Sequence, residues 1–382
     1  MKIVEIINVW DPVGVFLGAS EDEWRKNYRR ERYKEMRKAL VISTVLMVLV
    51  SACFLGKSEY YGLKFKKSSE KNIKSEQEII FKDINLEKAI REEIDKNSGN
   101  ISKKDLESIV SLSLREKEII TIEGIEHLSN LEELDLHGVE AKEFNSIQNL
   151  RNLKKLDLSK CDLTEIEFLN ELTSLESLNL QWNDFQGKFD NVIKSLKRLP
   201  NLSELDLTDN RLYSVNKLGE LTNLTKLKVS NCDITSLEGI EKLLNLNELD
   251  LSYNEVGSIE NLVQLNNIET LNLSHTKISS VKELSNLGKL EKLDLSLVRL
   301  SDFDEIQILT QLKDLDISFC ALEDIGFLRE LNNLEKLNLR WNSLNSIEPL
   351  MNLKNLKKVI LADTFLSTEE MDKLPKNIEV IY

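Results

Sequence analysis

Apolar residues recur along most of this chain at a fixed spacing. The motif is LxxLxLxx, followed by Asn, Cys, Thr or Val and then, after one residue, by Leu or Ile. Successive copies are 22 residues apart, except for one step of 27 residues. A period of this length indicates a repeat protein in which each copy forms one structural turn. The copies begin at Leu131, Leu153, Leu175, Leu202, Leu224, Leu246, Ile268, Leu290, Leu312, Leu334 and Leu356, with a degenerate copy at Ile109 and a stub at Ile378.

The alternation of apolar and polar residues within LxxLxL predicts a short strand with one buried face. Each repeat can bury its leucines only by stacking on its neighbours. The pattern therefore predicts an α/β repeat fold, a leucine-rich-repeat solenoid. Its strands form one parallel concave sheet, and a short 3-10 or extended segment forms the convex side. The five extra residues of the long step predict a helical turn that ends at Pro200.

Residues flanking the repeats are predicted to cap the open ends of the core. Before the first repeat, Asp83 or Asn85 can cap a helix, and Ser102 with Asp105 resembles a capping box for a second one. After the last repeat, a helix can start at Ser367 and end at Pro375, before a final short strand. We assign residues 81–108 to a helical N-terminal cap, 109–366 to twelve repeats and 367–382 to a C-terminal cap.

The phrases LDLSYNEVGSIENL and LNLRWNSLNSIEPL, together with the helical entry cap, carry a family resemblance. From about residue 81 to 382 the chain resembles the 22-residue repeats of bacterial internalins and related surface lipoproteins. The resemblance implies a non-enzymatic binding protein and leaves its partner open, because solenoids of one shape bind unrelated ligands. No immunoglobulin-like domain and no LPxTG signal follow the repeats in this sequence, so the resemblance does not extend to covalent wall attachment.

Residues 39–56 carry no charge and follow eight Lys or Arg residues between Arg25 and Lys38. Two interpretations remain open. In one, this segment is a transmembrane signal anchor and residues 1–38 are cytoplasmic. In the other, translation starts at Met36, and residues 50–53 (VSAC) resemble a lipobox in which Cys53 is lipidated. Both place the repeats outside the bacterial cell membrane, and residues 57–80, rich in Lys and Ser, are predicted to be a tether.

Composition and candidate chemistry argue against several function classes. The chain has a net charge of −14, and an acidic solenoid repels nucleic acid. No motif for catalysis or for a cofactor is present, and the histidines are too far apart along the repeats to share a metal. Three cysteines, Cys161, Cys232 and Cys320, stand at the Asn position of the motif, where they are predicted to be buried and reduced. We expect no enzyme activity, no cofactor, no metal and no small-molecule substrate.

Exposed bulky residues recur one step before the Asn position of the motif. Five of them fall in consecutive repeats, and a sixth, Trp182, stands earlier in the chain. Exposed aromatic stripes often mark interfaces. We therefore predict a protein-binding surface here, on a membrane-anchored protein. A cytosolic regulator of an enzyme or effector, or an envelope protein without a specific ligand, is the alternative. The predicted contacts are Trp182, Tyr253, His275, Leu297, Phe319 and Trp341, with Arg340 beside them.

Overall fold

A computed structural model describes residues 78–185 and 187–382 of this chain. These residues belong to the second of two units, residues 74–382, into which the chain divides. Their main feature is one parallel sheet of thirteen strands whose spatial order equals their order in the chain. The strands are β1 (Ser111–Ser113), β2 (Glu133–Asp135), β3 (Lys155–Asp157), β4 (Ser177–Asn179), β5 (Glu204–Asp206), β6 (Lys226–Lys228), β7 (Glu248–Asp250), β8 (Thr270–Asn272), β9 (Lys292–Asp294), β10 (Asp314–Asp316), β11 (Lys336–Asn338), β12 (Lys358–Ile360) and β13 (Glu379–Ile381).

The 22-residue period sets the register of this sheet. Leu134 pairs with Leu156, and each strand opposes the equivalent residues of the next. The middle residue of each strand from β1 to β12 is buried, while its two neighbours lie on the opposite face of the sheet. Full burial of one leucine contributes about 1.5–3 kcal/mol, and here each leucine is covered by residues of adjacent turns. The predicted leucine-rich-repeat solenoid is confirmed.

Short 3-10 helices occupy the segments that return the chain from one strand to the next. The 27-residue turn differs, because its additional residues form an α-helix, α3 (Phe189–Leu196), before Pro200. This is the helical turn that the longer repeat predicts. The 3-10 helices are Ile125–His127, Asn145–Asn149, Glu167–Leu169, Leu218–Glu220, Ile240–Lys242, Glu260–Leu262, Lys282–Asn286, Asp304–Ile308, Gly326–Glu330 and Glu348–Asn352.

Two helices, α1 (Ile84–Glu93) and α2 (Lys103–Leu106), precede the first strand. Asp83, not Asn85, caps α1, and its second carboxylate oxygen accepts the N–H of Ile120 at 2.8 Å. Burial alone raises the pKa of Asp83, but the hydrogen bonds from the backbone of Ile120 and of the helix outweigh it, so the pKa is lowered. One carboxylate therefore both caps the helix and ties it to the first repeat.

Capping side chains also start the other two short helices. The capping box of Ser102 and Asp105 is present at α2. At the C-terminal end, Ser367 caps α4 (Thr368–Met371), whose regular hydrogen bonding stops before Pro375. The C-terminal helix is thus shorter than predicted, because the chain must turn at once to place β13 beside β12.

An internal ladder of asparagines links neighbouring turns. The side-chain amide of Asn254 donates to the carbonyls of Val229 at 2.8 Å and Leu251 at 2.9 Å. Its oxygen accepts the N–H groups of Cys232 and Ile234, both at 3.0 Å. Asn183 and Asn342 make the same set of bonds. Each asparagine therefore satisfies buried backbone groups of two turns, as an interior without water requires.

Candidate protein-binding surface

All twelve described turns place the residue before the Asn position in the left-handed region of φ. The φ angle there runs from +51° at Asn231 to +69° at Gly138. The backbone N–H at this position donates to the next turn, for example from Tyr253 to the carbonyl of Ser274 at 2.9 Å. This bond fixes the sharp bend by which the chain leaves each strand. Within five consecutive turns the position forms what we call the ridge: Tyr253, His275, Leu297, Phe319 and Trp341.

Left-handed backbone is unfavourable for large side chains. It costs an L-residue about 1–2 kcal/mol, whereas Gly, Asn and Asp tolerate it well. Of the seven turns outside the ridge, four use such residues at this position, namely Gly138, Asp209, Asn231 and Asp363, and the other three carry Glu116, Lys160 and Trp182. The ridge instead carries bulky side chains throughout. Backbone stability alone would not select them there, which makes the ridge a candidate for function.

Two stacked pairs of rings lie within the ridge. The ring centroids of Tyr253 and His275 are 4.7 Å apart, and those of Phe319 and Trp341 are 5.5 Å apart, with interplanar angles of 15° and 13°. Such pairs contribute about 0.5–1.5 kcal/mol, which offsets part of the backbone strain. Tyr253 and Leu297 are nevertheless 54% and 44% exposed. The structure therefore places the five predicted residues in consecutive turns beside the carboxyl ends of β7 to β11.

The other two predicted contacts, Trp182 and Arg340, are not part of the ridge. Trp182 is 59% exposed, but the turns between it and the ridge carry Asp209 and Asn231, whose side chains are hydrogen-bonded to each other. Arg340 lies next to Trp341 and forms an ion pair with Asp363 at 3.5 Å. Arg340 thus borders the ridge, whereas Trp182 is separated from it by two turns.

The third strand position carries Asp or Asn in most turns, and the structure explains why. Its side-chain oxygen accepts the backbone N–H two residues further on, as Asp294 does from Ser296 at 2.8 Å. This local bond shapes the start of the bend.

No group of three or more His, Cys, Asp or Glu side chains suited to a metal occurs in the described residues. Burial, followed by the charges of Asp316 and Asp250, raises the pKa of Asp294.

The first strand position forms predicted ion pairs across the sheet. Lys155 lies 2.7 Å from Glu133, and Lys226 lies 2.8 Å from Glu204. All four side chains are at least two-fifths exposed, so solvent screens each pair and it contributes little to stability. This column stabilises the surface locally and does not distinguish the ridge from other turns.

The three repeat cysteines are free and buried. Cys232 donates its thiol hydrogen to the carbonyl of Leu207 at 3.1 Å, and its N–H is held by Asn254. Burial raises the pKa of the thiols of Cys161, Cys232 and Cys320 to about 12. These groups stay protonated near neutral pH, which suits a structural role and not a nucleophilic one.

Sequence reasoning missed a second exposed apolar group beside the N-terminal cap. Ile84 is 80% exposed, and Ile80 and Ile120 are exposed as well. These residues follow no period, so the repeat pattern gave no signal for them. The left-handed position was also missed, although the recurrence of Gly, Asp and Asn in that column points to it.

Membrane anchoring was predicted on residues that the structure does not describe. Among residues 78–185 and 187–382, no helix is both long and apolar enough to cross a membrane. Residues 39–56 and Cys53 lie outside these ranges.

Comparisons with known proteins agree with this fold. A family model of the leucine-rich-repeat domain of the endo-beta-N-acetylglucosaminidase EndoS matches residues 214–320, and a leucine-rich-repeat model matches residues 149–165 and 171–188. None of the curated proteins matches the sequence.

Two solved structures from Listeria monocytogenes are similar over most of the repeats. An internalin, InlF, shares 25% identity with a TM-score of 0.65, covering 79% of this chain and 95% of its own. The functional domain of InlJ, described as including a cysteine ladder, shares 23% identity with a TM-score of 0.59. That match covers 77% of this chain and 63% of the InlJ chain, and at this identity it supports the fold alone.

Proposed function

The chain is an internalin-like bacterial leucine-rich-repeat protein, and from this premise we propose that it binds a protein partner through the exposed face of its sheet, with the ridge as the principal contact. It acts as a non-enzymatic binding scaffold. The observation that carries this proposal is the run of five bulky residues at consecutive left-handed positions. Four of the seven other turns use Gly, Asp or Asn at this position, and no other consecutive turns there carry bulky apolar or aromatic side chains, so the ridge runs against the preference of its backbone.

The chemistry of the ridge suits a protein contact. Aromatic residues dominate the energetics of protein interfaces, and few side chains carry most of the binding free energy. The ridge spans four strand spacings, about 19 Å. That length matches the central part of an interface of ordinary size. Arg340, at the edge of the ridge, adds a side-chain type that is enriched at interface centres.

A double substitution tests the ridge. Phe319→Asn with Trp341→Asn removes one stacked pair but keeps a residue that tolerates the left-handed backbone, as Asn231 does. We expect capture of the partner, measured by cross-linking and pull-down from intact cells, to weaken by about 2 kcal/mol or more, roughly thirtyfold. The same change to Ala should behave alike. Tyr213→Ala is the matched control, since Tyr213 is an exposed aromatic with φ of +61° outside the ridge.

The outcomes separate three explanations. Unchanged capture by both double variants would place the binding site elsewhere. A large drop in the thermal unfolding midpoint would mean that the ridge is part of the core. If cross-linking recovers no specific partner with the unaltered protein, the chain acts as an envelope protein without a ligand. Trp182→Ala tests the outlying predicted contact separately.

We also propose that residues 39–56 hold the protein at the bacterial membrane with its repeats on the extracytoplasmic side. The support is the uncharged segment and the basic residues before it. If Cys53 is lipidated, Cys53→Ala abolishes labelling with palmitate and leaves an uncleaved precursor. If the segment is a signal anchor, the mass and the membrane retention of that variant stay unchanged.

External protease distinguishes this location from the cytosolic alternative. Repeats outside the membrane are cleaved in intact cells, whereas a cytosolic regulator is protected until the cells are lysed. A soluble, protected protein would overturn the proposed anchoring.

A further inference from the structure

Leu297 interrupts the rings of the ridge. Adjacent turns are about 4.8 Å apart, so the rings of His275 and Phe319, two turns apart, are separated by about 9.6 Å. Only the aliphatic side chain of Leu297 stands between them. Because Leu297 is 44% exposed, the space above it is open. We call this gap, formed by His275, Leu297 and Phe319, the notch.

Ring faces line both sides of the notch. His275 is stacked on Tyr253 and Phe319 is stacked on Trp341, so one face of each ring is covered by its partner. The other face of each ring is on the side of Leu297, whose side chain is partly exposed. A planar group placed midway would lie about 4.8 Å from each ring. That spacing falls between the two centroid separations already present in the ridge, 4.7 and 5.5 Å.

Carboxylates lie in the strand position next to the notch, although Lys292 begins the same strand. Asp294 ends β9, three residues before Leu297 in the same turn, and Asp250 and Asp316 occupy the same column. The pKa of Asp294 is raised by its burial and by these two neighbouring carboxylates. A cation bound in this turn would reduce that repulsion. Lys336, at the first position of β11, is already paired with Asp314, with 3.8 Å between the ammonium nitrogen and the carboxylate oxygen.

We propose that the notch receives an arginine side chain of the protein partner, with its guanidinium between the rings of His275 and Phe319, above Leu297 and close to Asp294. Guanidinium is planar, stacks on aromatic faces and stays charged, whereas the ammonium group of lysine has no plane to stack. A neutral aromatic side chain would fill the gap without meeting the charge. This inference rests on the proposed function, because it names the chemistry that the ridge recognises.

Short peptides of known composition test the notch directly on the full chain. The probes are acetylated and amidated pentapeptides, Ala-Ala-X-Ala-Ala, with X as arginine, lysine, citrulline or phenylalanine. Citrulline is planar like arginine but uncharged. We expect the arginine peptide to bind roughly fivefold to tenfold more tightly than each of the others, measured by calorimetric titration.

Two variants connect this preference to the notch. Leu297→Trp fills the gap and should abolish the preference for arginine. The fold should tolerate this change, because Trp182 and Trp341 occupy the equivalent position in other turns. Asp294→Asn should remove the preference for arginine over citrulline while leaving the fold intact, since Asn272 and Asn338 occupy the same column. Tyr213→Ala should leave peptide binding unchanged.

Several results would overturn the inference. These are equal affinity for arginine and lysine peptides, tighter binding of the phenylalanine peptide, no binding of the arginine peptide, or an unaltered preference in Leu297→Trp. None of them bears on the ridge as a whole. If the Phe319 and Trp341 double variant still loses its partner, the proposed function stands and only the occupant of the notch is wrong.

Discussion

Asn254 and Asn210 occupy equivalent ladder positions but make different numbers of hydrogen bonds. Both side chains are almost fully buried, at 2% and 1% exposure. The amide of each donates to backbone carbonyls, as Asn210 does to Leu180 at 2.9 Å and Leu207 at 2.8 Å. Only Asn254 also accepts, from the N–H groups of two residues in the preceding turn. The side-chain oxygen of Asn210 has no partner among the described residues.

This difference in hydrogen bonding predicts how much more the free energy of unfolding depends on Asn254 than on Asn210. Asn254→Ala and Asn210→Ala remove the same atoms and create similar cavities. Both also leave equivalent backbone carbonyls without their hydrogen-bond donor. Asn254→Ala additionally leaves the buried N–H groups of Cys232 and Ile234 without an acceptor. Each unsatisfied buried group costs about 1–3 kcal/mol. We expect the free energy of unfolding to fall by at least about 2 kcal/mol more for Asn254→Ala than for Asn210→Ala.

Guanidinium unfolding followed by circular dichroism measures the two losses, and hydrogen exchange locates them. In Asn254→Ala the amides of Cys232 and Ile234 should exchange much faster, while the same amides in Asn210→Ala should be unaffected. Equal destabilisation by the two substitutions, or a larger effect at Asn210, would refute the hydrogen-bond argument. It would show that the ladder stabilises the fold through packing alone.

Two further predictions concern titrating groups. Cys161, Cys232 and Cys320, with thiol pKa values of about 12, should not react with a thiol reagent at neutral pH until the protein is unfolded, and reduction should not alter the mobility of the monomer. A hydrogen bond from Lys96, followed by those from Ser102, lowers the pKa of Asp105 from 3.8 to about 2. Its contribution to stability is therefore complete above pH 4 and is lost as the pH falls towards 2. The thermal unfolding midpoint of Asp105→Asn should accordingly fall less between pH 5 and 2 than that of the unaltered protein.

The repeat pattern alone determined the architecture, including the strands, their parallel order and the helical turn of the long repeat. It could do so because the signal is local and repeated: Leu134 and Leu136 point inward for the same reason as Leu156 and Leu158, 22 residues later. The capping box at Ser102 could also be predicted from a local signal, because Ser102 and its partner Asp105 lie within one turn of helix. The ridge residues, too, were identified from their column in the repeat.

Tertiary structure decided what those columns do. Asp83, and not Asn85, caps the first helix, and its carboxylate also accepts the backbone N–H of Ile120, which is distant in sequence. Asn210 lacks the acceptor bonds of Asn254 although the two residues have the same place in the motif. The left-handed backbone and ring stacking along the ridge also arise between turns. A sequence period specifies which positions are equivalent, but contacts between neighbouring turns fix the backbone angle, the hydrogen bonds and the open space at each one.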